Sequence, residues 1–164
     1  MKMEMNAPDN VTIWRSVNDG VMGGLSSGGP RFEDGHMVFS GVINTNGGGF
    51  SSIRASIRQG SLANAKGLKF RVKSDGRAYK ATIRTDARYG WREVSFQAPI
   101  SVKSKDEWVD VIVPFSELKA SVFGRPVQGA QFDPAMIQSI GIILADGQDG
   151  PFRLGVEYVA ACSA

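Results

Sequence analysis

Apolar and polar residues alternate with a period of two along most of the chain, and Gly, Pro, Asn and Asp interrupt the alternation at short intervals. The pattern predicts strands over residues 37–43, 50–57, 67–73, 79–85, 91–97, 108–113, 137–145 and 152–160. The third run is the cleanest: Leu68, Phe70 and Val72 fall on one face, and Lys69, Arg71 and Lys73 on the other. Between it and the next run lies Ser74-Asp75-Gly76-Arg77, whose Asp-Gly core is turn chemistry, so residues 67–86 are expected to form a β-hairpin. Two helical turns are expected, one capped by Asp133 with Pro134 in its first position and one over residues 114–118. No long helical period, repeat or linker is present in the sequence.

Strands in this number, each with one apolar face, must bury those faces against one another. The expected fold is therefore all-β, a β-sandwich of two antiparallel sheets forming a single domain over residues 1–164. Jelly-roll and immunoglobulin-like topologies both satisfy this, and the dense early glycines and long inter-strand loops favour the jelly roll. A chain of 164 residues with 42% hydrophobic residues can bury a sufficient core without a disulfide or structural metal. The 20 glycines cluster around 20–29, 47–49 and 141–150, where tight turns are needed.

Charge changes this picture little. The net charge of +3 permits an acidic partner without demanding one, and no dense basic-aromatic cluster of the nucleic-acid type is present. The single cysteine, Cys162, cannot form an internal bridge. The first ten residues lack a signal-peptide pattern, and no run approaches the length of a membrane span, so a cytoplasmic protein is expected.

Catalytic groups are sparse. His36 is the only histidine and reads as a turn residue beside Asp34 and Gly35, which leaves no Ser-His-Asp triad or ordinary zinc set to draw. The carboxylates sit mostly beside Gly or at strand ends, as turn and cap residues do. Asp146, Asp149 and Glu157 are the candidate calcium ligands. The runs Gly20-Val21-Met22-Gly23-Gly24 and Asn46-Gly47-Gly48-Gly49-Phe50 lack the spacing and following residues of a phosphate loop. No cofactor and no enzymatic activity are expected. The cations are better ordered: Arg54 and Arg58, then Lys69, Arg71 and Lys73, then Lys80 and Arg84 share faces of their strands, with Arg92 on the next. If those strands are neighbours, they offer a basic sheet surface to an acidic peptide segment or polar ligand. Trp14, Tyr79, Trp91 and Trp108 are the aromatics that would either fill the core or stack on a sugar.

The motifs, taken in order, resemble the complex I intermediate-associated protein 30 family. Trp14 is followed by Val17-Asn18-Asp19-Gly20-Val21-Met22-Gly23-Gly24 and Ser26, then Phe39-Ser40-Gly41 and Gly48-Gly49-Phe50-Ser51-Ser52-Ile53-Arg54. Gly67-Leu68, Phe70-Arg71-Val72, Asp75-Gly76-Arg77, Tyr79, Trp108, Val113-Pro114-Phe115, Ile140-Gly141 and Gly150-Pro151-Phe152 with Leu154 complete the likeness over about residues 14–160. Ser74 stands where the family usually has Gly. The resemblance implies a galactose-binding-like jelly roll with no catalytic residues, here as a stand-alone member of bacterial type. It implies kinship to mitochondrial assembly factors that bind intermediates of respiratory complex I. The expected function is a non-catalytic module binding a protein partner or assembly intermediate; the alternative is a carbohydrate-binding module of jelly-roll type.

Arg54, Arg71, Asp75, Arg77, Tyr79, Arg84 and Trp91 are the candidate ligand or partner contacts. Trp14, Asp19, Met22, Gly23, Gly24, Gly48, Gly49, Phe50, Trp108, Pro114 and Phe115 are the motif residues with a structural reading. The forked guanidinium groups of Arg54 and Arg77 suit either a buried carboxylate, Asp19 or Asp75, or a ligand.

Overall fold

The computed structural model describes residues 1–163, except for the side chains of Val21 and Met22. Its strands are β1 (Lys2–Glu4), β2 (Trp14–Asn18), β3 (Ser27–Glu33), β4 (His36–Ile43), β5 (Ser51–Ser56), β6 (Gly67–Ser74) and β7 (Tyr79–Tyr89). There follow β8 (Arg92–Pro99), β9 (Trp108–Pro114), β10 (Lys119–Val122), β11 (Arg125–Pro126), β12 (Ser139–Leu144) and β13 (Gly150–Cys162). They form two antiparallel sheets. One runs β3-β4-β13-β6-β9 with β1 added on β13; the other is seven-stranded, in the order β11-β10-β8-β7-β12-β5-β2.

Burial follows the alternation. Leu68, Phe70 and Val72 of β6, with Met37, Phe39, Leu154 and Val156, face Ile53, Ala55, Ala81, Ile83, Val94, Phe96, Ile140 and Ile142 of the seven-stranded sheet, and all are buried. The all-β sandwich expected from the pattern is the fold that forms. Both short helical turns are present as 3₁₀ turns, Phe115–Glu117 and Pro134–Met136, and Asp133 caps the second by accepting from the N–H of Ala135.

The hairpin expected over 67–86 does not form. β6 and β7 are consecutive in the chain but belong to different sheets. The Asp-Gly signal marks where the chain reverses, not which strand it then pairs with. Here the segment is held as a crossover: Asp75 accepts from the N–H of Arg77 and, across the fold, from the N–H of Arg153 on β13. The basic surface expected from neighbouring strands is therefore split. Lys69, Arg71 and Lys73 lie on the outer face of one sheet, and Arg54, Lys80 and Arg84 on the outer face of the other. His36 is half-buried at the start of β4, not in a turn, with its ring edge-on to Trp108 at 4.9 Å.

Candidate functional site

Much of the sequence motif serves to hold one carboxylate. Asp19 is fully buried at the end of β2. Its Oδ1 accepts from the N–H of Ser26 at 2.9 Å, and its Oδ2 from Gly49 at 2.7 Å and Phe50 at 3.2 Å. Burial raises its pKa, but these hydrogen bonds, with that of the Ser26 side chain, outweigh burial and hold the carboxyl below the usual range. A Cβ on Gly24 or Gly48 would lie 2.4 or 2.6 Å from atoms of this carboxylate, and Gly23 takes the left-handed conformation at φ 83°. The glycines let backbone amides close around an anion, and that anion is the protein's own. The side chain of Met22 lies outside the described residues.

Arg77, Asp75 and Tyr79 are likewise consumed internally. Arg77 forks onto Asp146 through Nε at 2.9 Å and Nη2 at 2.7 Å, and donates further to the carbonyls of Gln148, Gly150 and Pro151. The Arg77 pair holds Asp146 below the usual carboxylate range. The hydroxyl of buried Tyr79 donates to half-buried Asp75, and burial together with the Asp75 charge pushes the tyrosine pKa up. So the partner of Arg77 is Asp146, neither Asp19 nor Asp75. Asp149 accepts from the N–H of Thr45, and Glu157 on β13 pairs with Arg71 on the neighbouring strand β6. The three candidate calcium ligands thus do not come together, and among the described residues no three His, Cys, Asp or Glu side chains are grouped to hold a metal.

Arg71 also has its partners. Its Nε donates to Glu157 at 3.2 Å and its Nη1 reaches Asp110 at 3.5 Å, while Tyr158 donates to Asp110 at 2.9 Å. On the same outer face Arg153 and Arg31 share Glu33, and Trp108 packs over Gly155 against His36. Trp14 is buried, and Phe50, Pro114 and Phe115 are half-buried, with Phe115 stacked edge-on to Phe132 at 5.0 Å.

The outer face of the seven-stranded sheet is different. Its register sets Lys119, Gln97, Thr82, Gly141, Arg54 and Arg15 side by side in one row, and Ser121, Ser95, Arg84, Ser139 and Ser56 in the next. Arg54 and Arg15 are directly opposite, a like-charge pairing that weakens an antiparallel ladder. Arg54 and Arg84 flank β12, which offers only Gly141 and Ser139 between them, so nothing bulky separates the two guanidinium groups. Arg54 has no hydrogen-bond or ion-pair partner among the described residues. Its pKa is lowered to about 10, first by burial and then by the charges of Arg84 and Arg15, against which Glu93 pulls the other way. Arg84 donates through Nη1 to Glu93, but its buried Nε finds no acceptor.

Two turns at the end of this sheet carry aromatics. Gly90 and Trp91 link β7 to β8, with Gly90 at φ 65° and Trp91 82% exposed. Phe123 and Gly124 link β10 to β11, and Phe123, 67% exposed, sits at φ 49° where Asn, Asp or Gly is the usual residue. The guanidinium of Arg92 lies over both rings, 5.1 Å from Trp91 and 5.8 Å from Phe123. Of these residues Arg54, Arg84 and Trp91 are legible as candidates in the sequence. Arg15 and Phe123 are not, although the Trp14-Arg15-Ser16-Val17 alternation is a usable signal for β2.

A concavity of about 790 Å³ opens elsewhere, between Ala63–Lys66, Pro114–Ser116, Phe132, Pro134 and Ser163. Lys66 is its only ionisable side chain among the lining residues, so it holds no acid–base pair.

Known proteins resemble this chain in sequence and in fold. The profile of the complex I intermediate-associated protein 30 family matches residues 3–156. A Caenorhabditis elegans protein, "Probable complex I intermediate-associated protein 30, mitochondrial", is 30% identical over 77% of this chain and 43% of its own length. The chain thus spans less than half of that relative. An uncharacterized protein of Schizosaccharomyces pombe is 31% identical over 90% of this chain and 77% of its own. Among solved structures, a family 11 carbohydrate-binding module from Clostridium thermocellum, in complex with a β-1,3-1,4-mixed-linked tetrasaccharide, superposes with a TM-score of 0.68 at 19% identity, over 98% of this chain and 96% of that one. Identity at that level shows the jelly-roll fold alone.

Proposed function

The chain belongs to the complex I intermediate-associated protein 30 family, and from that premise we propose that it is a binding module without chemistry of its own, which docks on a protein partner belonging to a respiratory-complex assembly intermediate. Family and fold are of a typically non-catalytic kind. The observation that carries the reading is the seven-stranded sheet, whose outer face holds arginines without sufficient acceptors and whose end carries exposed aromatic turns. Arg, Trp and other aromatics are enriched in the energetic centres of protein interfaces. In its source cells, a tagged chain extracted gently and separated by size is expected to co-migrate with complex I subunits in a particle larger than itself.

Trp91 supports a second reading, since an exposed indole is a stacking surface for a sugar ring. Calorimetry with the β-1,3-1,4-linked tetrasaccharide separates the two. Saturable heat that Trp91→Ala abolishes, in a chain that migrates alone, overturns the protein-partner reading.

A further inference from the structure

We infer that Arg15, Arg54 and Arg84 form a receptor for a carboxylate carried on an extended acidic segment of a protein partner, and that Trp91 and Phe123 take an apolar side chain of the same segment. The inference deepens the protein-binding reading and rests on it.

Three independent features converge on these arginines. Arg15 and Arg54 are placed opposite each other by the β2–β5 register, although like charges in that position weaken the ladder. Arg54 has no acceptor, and the buried Nε of Arg84 has none either, a state that leaves donor capacity unspent. The strand between them is cut down to Gly141 and Ser139, and Gly141 is pinched so tightly that a Cβ would lie 2.4 Å from the carbonyl oxygen of Ile53. The floor is small where the cations meet, so an incoming group can sit between them.

The chemistry of that group follows from the donors. A planar guanidinium presents paired N–H groups matched to a carboxylate, and Arg84 already holds one, that of Glu93, through Nη1 alone. Arg54 offers its whole fork. A single Glu93 among three arginines leaves the patch positive, so a second carboxylate is complementary in both shape and charge. A peptide is the carrier the surroundings favour. From Ser95, opposite Arg84, back to Trp91 the chain runs four residues along β8, roughly 13 Å at about 3.3 Å per residue. An extended segment covers the same span with four or five residues, carboxylate at one end and apolar side chain at the other. Phe123 occupies a tight-turn position that calls for positive φ and usually takes Asn, Asp or Gly, and it is 67% exposed there.

The test uses the full chain and a fluorescein-labelled decapeptide of alternating Glu and Gly ending in Leu-Leu, with a Gln-for-Glu peptide and tri-galacturonate as comparisons. The Glu peptide is expected to bind and to shift the Nε–Hε resonances of Arg54 and Arg84, with the Gln peptide about tenfold weaker or more. Arg54→Gln and Arg84→Gln should each weaken binding by about tenfold, while Arg71→Gln, an equal charge change on the opposite face, should stay within about twofold. Melting curves of each variant establish that it is folded. Equal loss from Arg71→Gln overturns the site in favour of diffuse charge, and absence of binding or unmoved arginine resonances overturns it outright. Tri-galacturonate shifting those resonances where the Glu peptide does not overturns the peptide class. Should the Arg54→Gln, Arg84→Gln double variant still co-migrate with complex I subunits, the receptor is wrong while the protein-binding reading stands; loss of both supports both.

Discussion

Arg77 and Arg54 are both partly withdrawn from solvent, yet their surroundings treat them in opposite ways. Arg77 lies in the loops at one end of the sandwich, where every face of its guanidinium is spent on Asp146 and on three backbone carbonyls. Near it, Asp19 is saturated in the mirror sense, an anion closed in by backbone amides, and a hydrogen bond from Thr45 to Asp149 ties the two loop systems together. Arg54 lies in the sheet with no acceptor and two like charges as neighbours. The pKa directions record the contrast: Arg77 is raised, first by its hydrogen bond to Asp146, and Arg54 is lowered, first by burial. Saturated charges at the loop end fix the fold; unsaturated ones on the sheet are available to something else. The type and burial of a charged residue do not separate the two cases, whereas an account of its acceptors does.

The comparison breaks most readily at Asp19. Replacing Asp19 by Ala leaves the N–H groups of Ser26, Gly49 and Phe50 without their acceptor, at about 1–3 kcal/mol for each buried donor. A loss of stability on the order of 4 kcal/mol is expected in urea unfolding, together with a fall in Tm of roughly 10 °C. Because the folded pKa is below the unfolded one, the stabilisation from Asp19 is fully present above about pH 4 and is lost as pH falls through the folded value. The stability difference between the wild type and Asp19→Asn should therefore narrow in that acid window and stay constant above it. A pH-independent difference would place the clasp's strength in its packing instead of its charge.

Arg77→Lys is the sharper and smaller probe. Lysine keeps a positive charge near Asp146, whose side chain is only 7% exposed, but loses the fork and the reach to the carbonyls of Gln148, Gly150 and Pro151. A loss of about 2 kcal/mol in denaturant unfolding is expected. Loss of less than about 0.5 kcal/mol would mean that the carbonyl contacts contribute little, and the contrast with Arg54 would weaken.

The sequence makes the sandwich legible because burial of one face imposes alternation, so β4 to β9, β12 and β13 stand out. β3, with Gly28-Gly29-Pro30, and the short β1, β10 and β11 lack two clear faces and do not. The error over residues 67–86 has one physical source: turn residues report a local reversal, while pairing depends on where a distant strand lies, here β12 for β7 and β13 for β6. The same limit governs the site. Arg54 and Arg84 can be named from strand faces, but their proximity depends on β12 lying between β5 and β7, and Arg15 joins them only through the β2–β5 pairing. Asp19 reads as a turn residue in the sequence. That its glycines enclose its own carboxylate is visible only once Gly24 and Gly48 are brought together around it.

The smallest expected effect carries the most information. Arg54→Gln removes a cation whose charged form the folded protein disfavours. Both the folded and unfolded chains hold that proton below pH 10 or so, so the whole penalty is present at neutral pH and is relieved only as pH rises through the folded value. Removing the charge removes the penalty and separates Arg15 from its like-charged opposite. Thermal unfolding at neutral pH is expected to show a Tm unchanged or raised by about 1–2 °C, the reverse of Arg77→Lys. A residue kept against the stability of its own fold is the signature of a site that trades stability for function. A drop in Tm comparable to that of the Arg77 variant would instead make Arg54 a structural residue and remove the distinction between the loop end and the sheet face.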